Sequence, residues 1–257
     1  VESCDVFYYE LARMLKIDRL HDYMVQFGFG VKTGIDLLRT EHEPSGLFPS
    51  SSWKRSVRNQ PWYPGETLIA GIGQGFTLVT PLQLAVATAT MANRGKHVQP
   101  RLVNRTQDIR SGKNEFVPIK TLNQIPMVEE EHWNEIIAAM KDVVHSPRGT
   151  ARRLNKDIPY TIAGKTGTAQ VIGIKQGEKY DEDKVLKKHR DHALFIAFAP
   201  VEDPRIAVAV IVENGGHGGS TAAPIAGEII KAWLMPQIAS GELSLPEPEP
   251  EEAITDE

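Results

Sequence analysis

The chain has 257 residues, 41% of them hydrophobic and 24% charged, proportions that fit a globular domain and exclude collagen-like, wholly disordered and membrane-bundle chains. The net charge of -4 hides an asymmetry: residues 241–257 hold seven acids and no base, which leaves the rest at +3, too little to suggest a nucleic-acid partner. The single cysteine, Cys4, excludes an intrachain disulfide and a self-contained cysteine zinc finger.

The apolar runs, such as Ile206–Val212, fall far short of the roughly 18 to 20 residues that span a bilayer. Val1 stands where an initiator Met would, and helical periodicity begins almost at once with no signal-peptide pattern, so the sequence is expected to be a piece of a longer protein.

Apolar residues at Phe7, Leu11, Met14 and Leu15, then at Leu20, Tyr23, Met24 and Phe27, predict two helices, each turning one face inward, with Asp18 capping the second. Gly28, Gly30 and Gly34 break the pattern. Residues 40–66, rich in Ser, Pro, Arg and Trp, predict a long surface loop. At Thr80-Pro81-Leu82-Gln83 a capping Thr, a Pro at the first helical position and a Gln reaching back to the cap coincide, and the helix should stop at Gly95.

A further helix is predicted at residues 129–144, where Trp133, Ile136, Ile137, Met140, Val143 and Val144 share a face. Residues 160–171, 192–199 and 205–213 then read as three neighbouring antiparallel strands, the first two separated by a charged insert at 175–190. After the glycines at 215, 216, 218 and 219, Ser220 is placed to cap a last helix whose Ile225, Ile229, Ile230 and Trp233 should pack on the sheet. The Pro-Glu repeat after Leu245 cannot bury enough apolar surface to order itself. Helices, then strands, then a helix predict an α+β fold with an antiparallel sheet covered by helices. One domain is expected over residues 1–239, followed by a disordered acidic tail over 240–257.

The stretch Gly164-Lys165-Thr166-Gly167-Thr168-Ala169-Gln170 carries the most chemistry. On a strand, Lys165 offers a cation, Thr166 and Thr168 share a face, and Gly167 admits close approach, a set suited to a carboxylate, with the Thr168 N–H as an oxyanion donor. The bland alternative is a solvated edge strand with a chance lysine. The same three letters at Lys32-Thr33-Gly34 sit at a turn into a short extended segment and read as structural. Ser51-Ser52-Trp53-Lys54 matches S-x-x-K, the spacing that sets a Ser nucleophile one helical turn from a Lys base, but it lies in the expected loop, where no helix would hold that geometry. Gly71-Ile72-Gly73-Gln74-Gly75 lacks the glycine spacing, the β-α-β setting and the distal acid of a dinucleotide loop. The histidines show no metal spacing. His145 and His192 read as surface or loop residues, as does His217, which alone stays a candidate to line a cleft.

In order, Ser3-Cys4-Asp5, Gly71-Ile72-Gly73-Gln74-Gly75, Thr80-Pro81-Leu82-Gln83-Leu84-Ala85, Arg148-Gly149-Thr150-Ala151 and Lys165-Thr166-Gly167-Thr168-Ala169 resemble the transpeptidase domain of class B penicillin-binding proteins. Phe27-Gly28-Phe29-Gly30, Thr33-Gly34-Ile35-Asp36 and Glu213-Asn214-Gly215-Gly216 are most similar to the elongation-specific type, penicillin-binding protein 2. The resemblance covers about residues 1–238. It implies the penicillin-binding protein and serine β-lactamase fold without its N-terminal part, and a D,D-transpeptidase that cross-links peptidoglycan stem peptides through a serine acyl-enzyme and is a target of β-lactams. Ser3 would relay a proton between the catalytic lysine and the leaving amine, Asp5 stands where many relatives carry Asn, Lys165 would support the proton path, and Thr166, Gly167 and Thr168 would bind the substrate carboxylate. In the family S-x-x-K precedes the second motif, so the nucleophile is expected upstream of Val1 and the 257 residues alone are expected to be inactive.

The resemblance also implies an upstream membrane anchor, a location at the periplasmic face of the inner membrane, a role in cell shape, and a membrane glycan polymerase of the elongation machinery as partner. It requires no cofactor, although some relatives with this Ser-Cys-Asp triplet bind zinc through the cysteine together with upstream acids and a His, of which only Cys4 is present here. Two alternatives stand beside it: a serine β-lactamase or D,D-carboxypeptidase of the same fold, disfavoured by the long flanking matches and the lack of a deacylating Glu motif, and a non-catalytic module that binds cell-wall peptide.

Overall fold

The computed structural model describes residues 1–36, 42–127, 129–173 and 185–246. Helices α1 (Asp5–Leu15), α2 (Ile17–Gln26), α3 (Ser51–Arg58) and α4 (Pro64–Gly71) lead into α5 (Pro81–Ala92). Short strands β1 (Lys96–Val98), β2 (Arg105–Gln107), β3 (Asn114–Phe116) and β4 (Thr121–Gln124) form two small antiparallel pairs, β1 with β4 and β2 with β3. Helix α6 (Glu131–His145) follows, then β5 (Ala163–Ala169), β6 (His192–Ala199) and β7 (Ile206–Val212), and α7 (Ala223–Ala239) closes the described chain.

The central sheet has the order β5-β6-β7, antiparallel throughout, with Lys165 opposite Ile196 and Thr168 opposite Ala193. Strand β6 is buried on both faces. Phe195, Ala197 and Ala199 pack with Ala226, Ile230 and Leu234 of α7, while Phe198 packs with Ile137 of α6 and Ala92 of α5. Helices therefore cover both faces, and each fully buried phenylalanine contributes roughly 2–3 kcal/mol. A second cluster, formed by Ile17, Phe27, Phe29, Phe48, Ala87, Ile125 and Trp133, joins α2, α5 and α6 to the segments between them.

The predicted α5 start forms as expected. Thr80 Oγ1 accepts from Gln83 N at 3.1 Å and Gln83 Oε1 accepts from Thr80 N at 2.9 Å. The Gln83 carboxamide, 1% exposed, also donates to the carbonyls of Gly28, Val31 and Ser45, so one helix-capping residue ties down the glycine-rich segment after α2. The chain turns at Gly95 with φ 87°, where a Cβ would meet the Trp133 ring and the Ile125 carbonyl. Lys32-Thr33-Gly34 is structural as read: the Thr33 N–H and hydroxyl and the Gly34 N–H all donate to the Glu43 carboxylate.

Several expectations are corrected. Residues 40–66 are not one loop: they hold α3 and the start of α4. Asp18 does not cap α2; its carboxylate accepts from Ser51 N at 2.8 Å and Ser51 Oγ at 2.7 Å, and so satisfies the first turn of α3 from a neighbouring helix. Helix α1 buries Ala12 and leaves Phe7, Leu11 and Met14 exposed, because it packs through its small face, with Ala12 against Gly71 of α4. At α7 Ile230 is buried as expected, together with Ala226 and Leu234, but Ile225, Ile229 and Trp233 are exposed. Ser220 caps nothing; it lies in a π-helical turn, Gly218–Ala222, and its hydroxyl donates to the His217 carbonyl.

The described part of the expected tail, 240–246, stays packed. Leu243 is 4% exposed in the sheet and α7 core and Leu245 packs against it, so the expected boundary at 239/240 falls inside the packed chain; 247–257 lies outside the described residues. Of the charged insert, 174–184 likewise lies outside them.

Because hydrogen bonds from Ser51 hold the Asp18 carboxyl below its ordinary 3.8, the bond stabilises the fold above that pH and is lost as pH falls through the lowered value. Asp18→Ala is expected to cost about 1 kcal/mol at neutral pH by denaturant titration, with the difference from wild type narrowing below pH 3.8.

Candidate functional site

Strand β5 lies at one end of the sheet, and its open edge faces a cleft of about 700 Å³. Ser3 and Asp5 enter from the start of α1, Ile72 and Gln74 from the turn after α4, Thr150, Arg152 and Arg153 from the segment after α6, and His217 to Ser220 from the π-helical turn. The turn's glycines are required by proximity. A Cβ at Gly218 would collide with the Gly167 and Leu194 carbonyls, and one at Gly219 with the Thr150 carbonyl.

Lys165 Nζ donates to Ser3 Oγ at 2.6 Å and to the Thr166 carbonyl at 2.9 Å, joining residues 162 positions apart. Burial pushes the Lys165 ammonium below its ordinary 10.5, while the Asp5 carboxylate pulls in the opposite direction. Thr166 Oγ1 and Thr150 Oγ1 are hydrogen-bonded at 3.0 Å, a pair in which either hydroxyl can donate, and Thr168 faces the same cleft. The sequence-predicted Ser3, Asp5, Lys165, Thr166, Gly167 and Thr168 are thus brought into one cleft, with His217 beside them. A hydroxyl that accepts from an ammonium keeps its own proton free to donate, and a cation beside two hydroxyls and open backbone suits a carboxylate.

The S-x-x-K run does sit on a helix, against expectation, but is engaged elsewhere. Ser51 is bonded to Asp18, and Lys54, 1% exposed, pairs with Glu66 and lies 4.4 Å from the centre of the Tyr63 ring. His145 and His192 are half-buried acceptors rather than surface residues: His145 Nε2 accepts from Ile162 N at 3.0 Å, just before β5, and His192 Nδ1 accepts from Asn214 N at 2.9 Å. Burial keeps the His145 pKa low, which suits an acceptor.

Cys4 is exposed, and among the described residues no group of three or more His, Cys, Asp or Glu could hold a metal ion. The described residues do not by themselves make a zinc site. Sequence reasoning missed Arg152, Arg153 and a hydrogen-bonding role for Gln74, since exposed arginines after a helix carry no spacing signal; the flanking glycines were the available sign for Gln74.

Residues 1–231 match the penicillin binding protein transpeptidase domain. The chain belongs to that family. It is 44% identical over 235 residues to the peptidoglycan D,D-transpeptidase MrdA of Acinetobacter baumannii, a match covering 91% of this chain and 34% of that protein. Against MrdA of Escherichia coli K12 identity is 41% over 219 residues, covering 84% and 34%. The crystal structure of Pseudomonas aeruginosa PBP2 in complex with WCK 5153 superposes with a TM-score of 0.76 at 44% identity, covering 90% of this chain and 47% of that one. The complex of PBP2 with MreC from Helicobacter pylori gives 0.73 at 31% identity, covering 94% and 39%. The chain spans about a third of the length of these curated relatives. The family fixes the expected fold class, α+β with an antiparallel sheet between helices.

Lys165 is expected to titrate below 10.5 by NMR of the isotopically labelled side chain, and Asp5→Asn to lower it further, since the Asp5 charge is what raises it. Because the folded protein holds this proton more weakly than the unfolded chain, the group makes stability rise with pH between the lowered value and 10.5.

Proposed function

We propose that this chain is the C-terminal part of a peptidoglycan D,D-transpeptidase catalytic domain of the elongation-specific penicillin-binding protein 2 type. The observation that carries the reading is the 2.6 Å bond from Lys165 Nζ to Ser3 Oγ at the mouth of the β5 cleft, in a chain 44% identical to a transpeptidase of that kind. The nucleophilic serine and its lysine are assigned to a segment outside the 257 residues, since the S-x-x-K within them is held by Asp18 and Glu66.

In this reading the nucleophilic serine gives its proton to its lysine as it attacks the carbonyl of the penultimate D-Ala, the C–N bond breaks, and that proton passes from the lysine through Ser3, whose oxygen is held by Lys165 and whose hydrogen is free to point at the leaving D-Ala nitrogen. The acyl-enzyme then passes to an amine of a second stem peptide, whose proton returns by the same path. Thr166, Gly167 and Thr168 face the terminal carboxylate, with the Lys165 cation supplying the field that draws it in. β-Lactams would acylate the same site. The same reading puts the protein at the periplasmic face of the inner membrane with a partner in the elongation machinery; the partner is supported by the PBP2 of Helicobacter pylori, which was solved with MreC, and no helix among the described residues is long and apolar enough to cross a membrane. Zinc would need ligands beyond Cys4, supplied from outside these residues.

Fluorescent penicillin tests the reading. The intact protein should label covalently and Lys165→Ala should lose labelling; unchanged labelling of that variant would remove Lys165 from the mechanism. The 257 residues alone should take no label, and label mapped to Ser51 would reverse the assignment of the nucleophile.

A further inference from the structure

The cleft holds more positive charge than the terminal carboxylate of a donor peptide uses. Lys165 is bonded to Ser3 and feels the Asp5 carboxylate. Arg152 and Arg153 open the 3-10 turn Arg152–Asn155 and line the same cleft. Both are exposed, and among the described residues neither guanidinium has a hydrogen-bond or ion-pair partner. Their backbone is anchored all the same. The Ala151 N–H donates to the Val143 carbonyl at 2.9 Å, the Leu154 N–H donates to the Ala151 carbonyl at 3.0 Å, and Leu154 packs against the core of the sheet and α7. Two guanidinium groups on a fixed turn beside an open cleft suit a carboxylate, which such a fork can hold through two parallel hydrogen bonds.

Position decides which carboxylate. The Thr150 hydroxyl is bonded to that of Thr166 at 3.0 Å, so the arginines, which follow Thr150, reach the cleft from the side where Thr166 neighbours Lys165 and Ser3. In the transpeptidase reading Ser3 hands a proton to the departing nitrogen and takes one from the incoming amine, so both nitrogens occupy one place by microscopic reversibility. The acyl half of the donor lies across the breaking bond. On the nitrogen's other side, a carboxylate on the adjacent carbon meets Thr166 and Thr168. The leaving D-Ala offers only that carboxylate and a methyl group, which gives the arginines nothing further to hold. The acceptor is a whole stem peptide, and it continues past that point.

Building on the transpeptidase reading, we propose that Arg152 and Arg153 form an acceptor subsite, holding a carboxylate of the incoming stem peptide that is remote from its reacting amine. The step they serve is aminolysis. The acceptor nitrogen bonds to the acyl carbon, the ester bond to the nucleophilic serine breaks, and the proton given up by the amine returns through Ser3 and the catalytic lysine to the serine oxygen. Water competes for the same ester, so an acceptor held in place favours cross-linking over hydrolysis.

The test acylates the intact protein with a soluble thioester analogue of the donor peptide and offers a synthetic acceptor stem peptide below saturation, either with every carboxylate free or with the remote carboxylate amidated. The readout is the ratio of cross-linked to hydrolysed product. Both arise from one acyl-enzyme, so the ratio does not depend on how fast that intermediate forms. Amidation should lower the wild-type ratio about tenfold, the scale of one lost charge-assisted hydrogen bond. Arg152→Gln with Arg153→Gln should lower the ratio for the free acceptor by a similar factor and should no longer distinguish the two acceptors. If that variant fails to fold, Arg152→Lys with Arg153→Lys takes its place; it keeps the charge, loses the fork, and should narrow the difference between the acceptors. A wild-type ratio indifferent to amidation, or a variant that discriminates as well as wild type, would overturn the proposal. A wild-type protein that takes no fluorescent penicillin sinks the transpeptidase reading and this proposal together, whereas a labelled wild type that ignores the remote carboxylate sinks only the proposal.

Discussion

Strand β5 is hydrogen-bonded to β6 along one edge and open along the other, and that asymmetry places each group of the site. An open edge exposes backbone donors and acceptors that natural proteins normally cover or blunt. Here the edge borders the cleft, and two of its acceptors are met by side chains, the Thr166 carbonyl by the neighbouring Lys165 and the Thr168 carbonyl by Gln74 from 94 residues away. What remains is a short row suited to an extended peptide ending in a carboxylate. The core around β6, with Phe195 and Phe198 facing opposite helix layers, is the rigid support that keeps this edge in place.

Close packing through small residues brings the other half of the site to that edge. Gly71 lets Ala12 of α1 approach α4, and α1 carries Ser3 and Asp5 at its start; Gly218 and Gly219 let the π-helical turn lie against β5 and Thr150. A methyl group at any of these positions would meet backbone or a packed side chain, so the distance from Ser3 to Lys165 depends on atoms that are absent. The buried Lys54 shows the complementary logic. A lysine with catalytic spacing is removed from chemistry by a carboxylate and an aromatic ring, and it serves instead to fix α3 against α4.

The elements with strong local signals were legible. The Thr80 to Gln83 cap, the turn at Gly95, helix α6 and the three β strands from 163 to 212 follow from capping chemistry and period, within a few residues at their ends. Four strands of three or four residues, β1 to β4, give no alternation to read, and α3 hides in a Ser- and Arg-rich stretch because its support comes from Asp18 on another helix. The buried faces of α1 and α7 were misread in part for one reason: an apolar stripe marks a face that avoids water, but which face meets the neighbouring element is settled by the shape of the partner; α1 docks through Ala12, and α7 through Ala223 and Ala226 together with Ile230 and Leu234.

The sequence by itself determined the secondary structure of the second half, the charge division between body and tail, and the chemistry of Lys165, Thr166 and Thr168 on a strand, because each depends on neighbours a few residues apart. Only the tertiary structure decided that Ser3 meets Lys165, that Ser51 and Lys54 are bound to Asp18 and Glu66, and that Gln74 donates to the Thr168 carbonyl of β5. Contacts across 94 and 162 residues are set by how helices and sheet pack, and no local pattern encodes them.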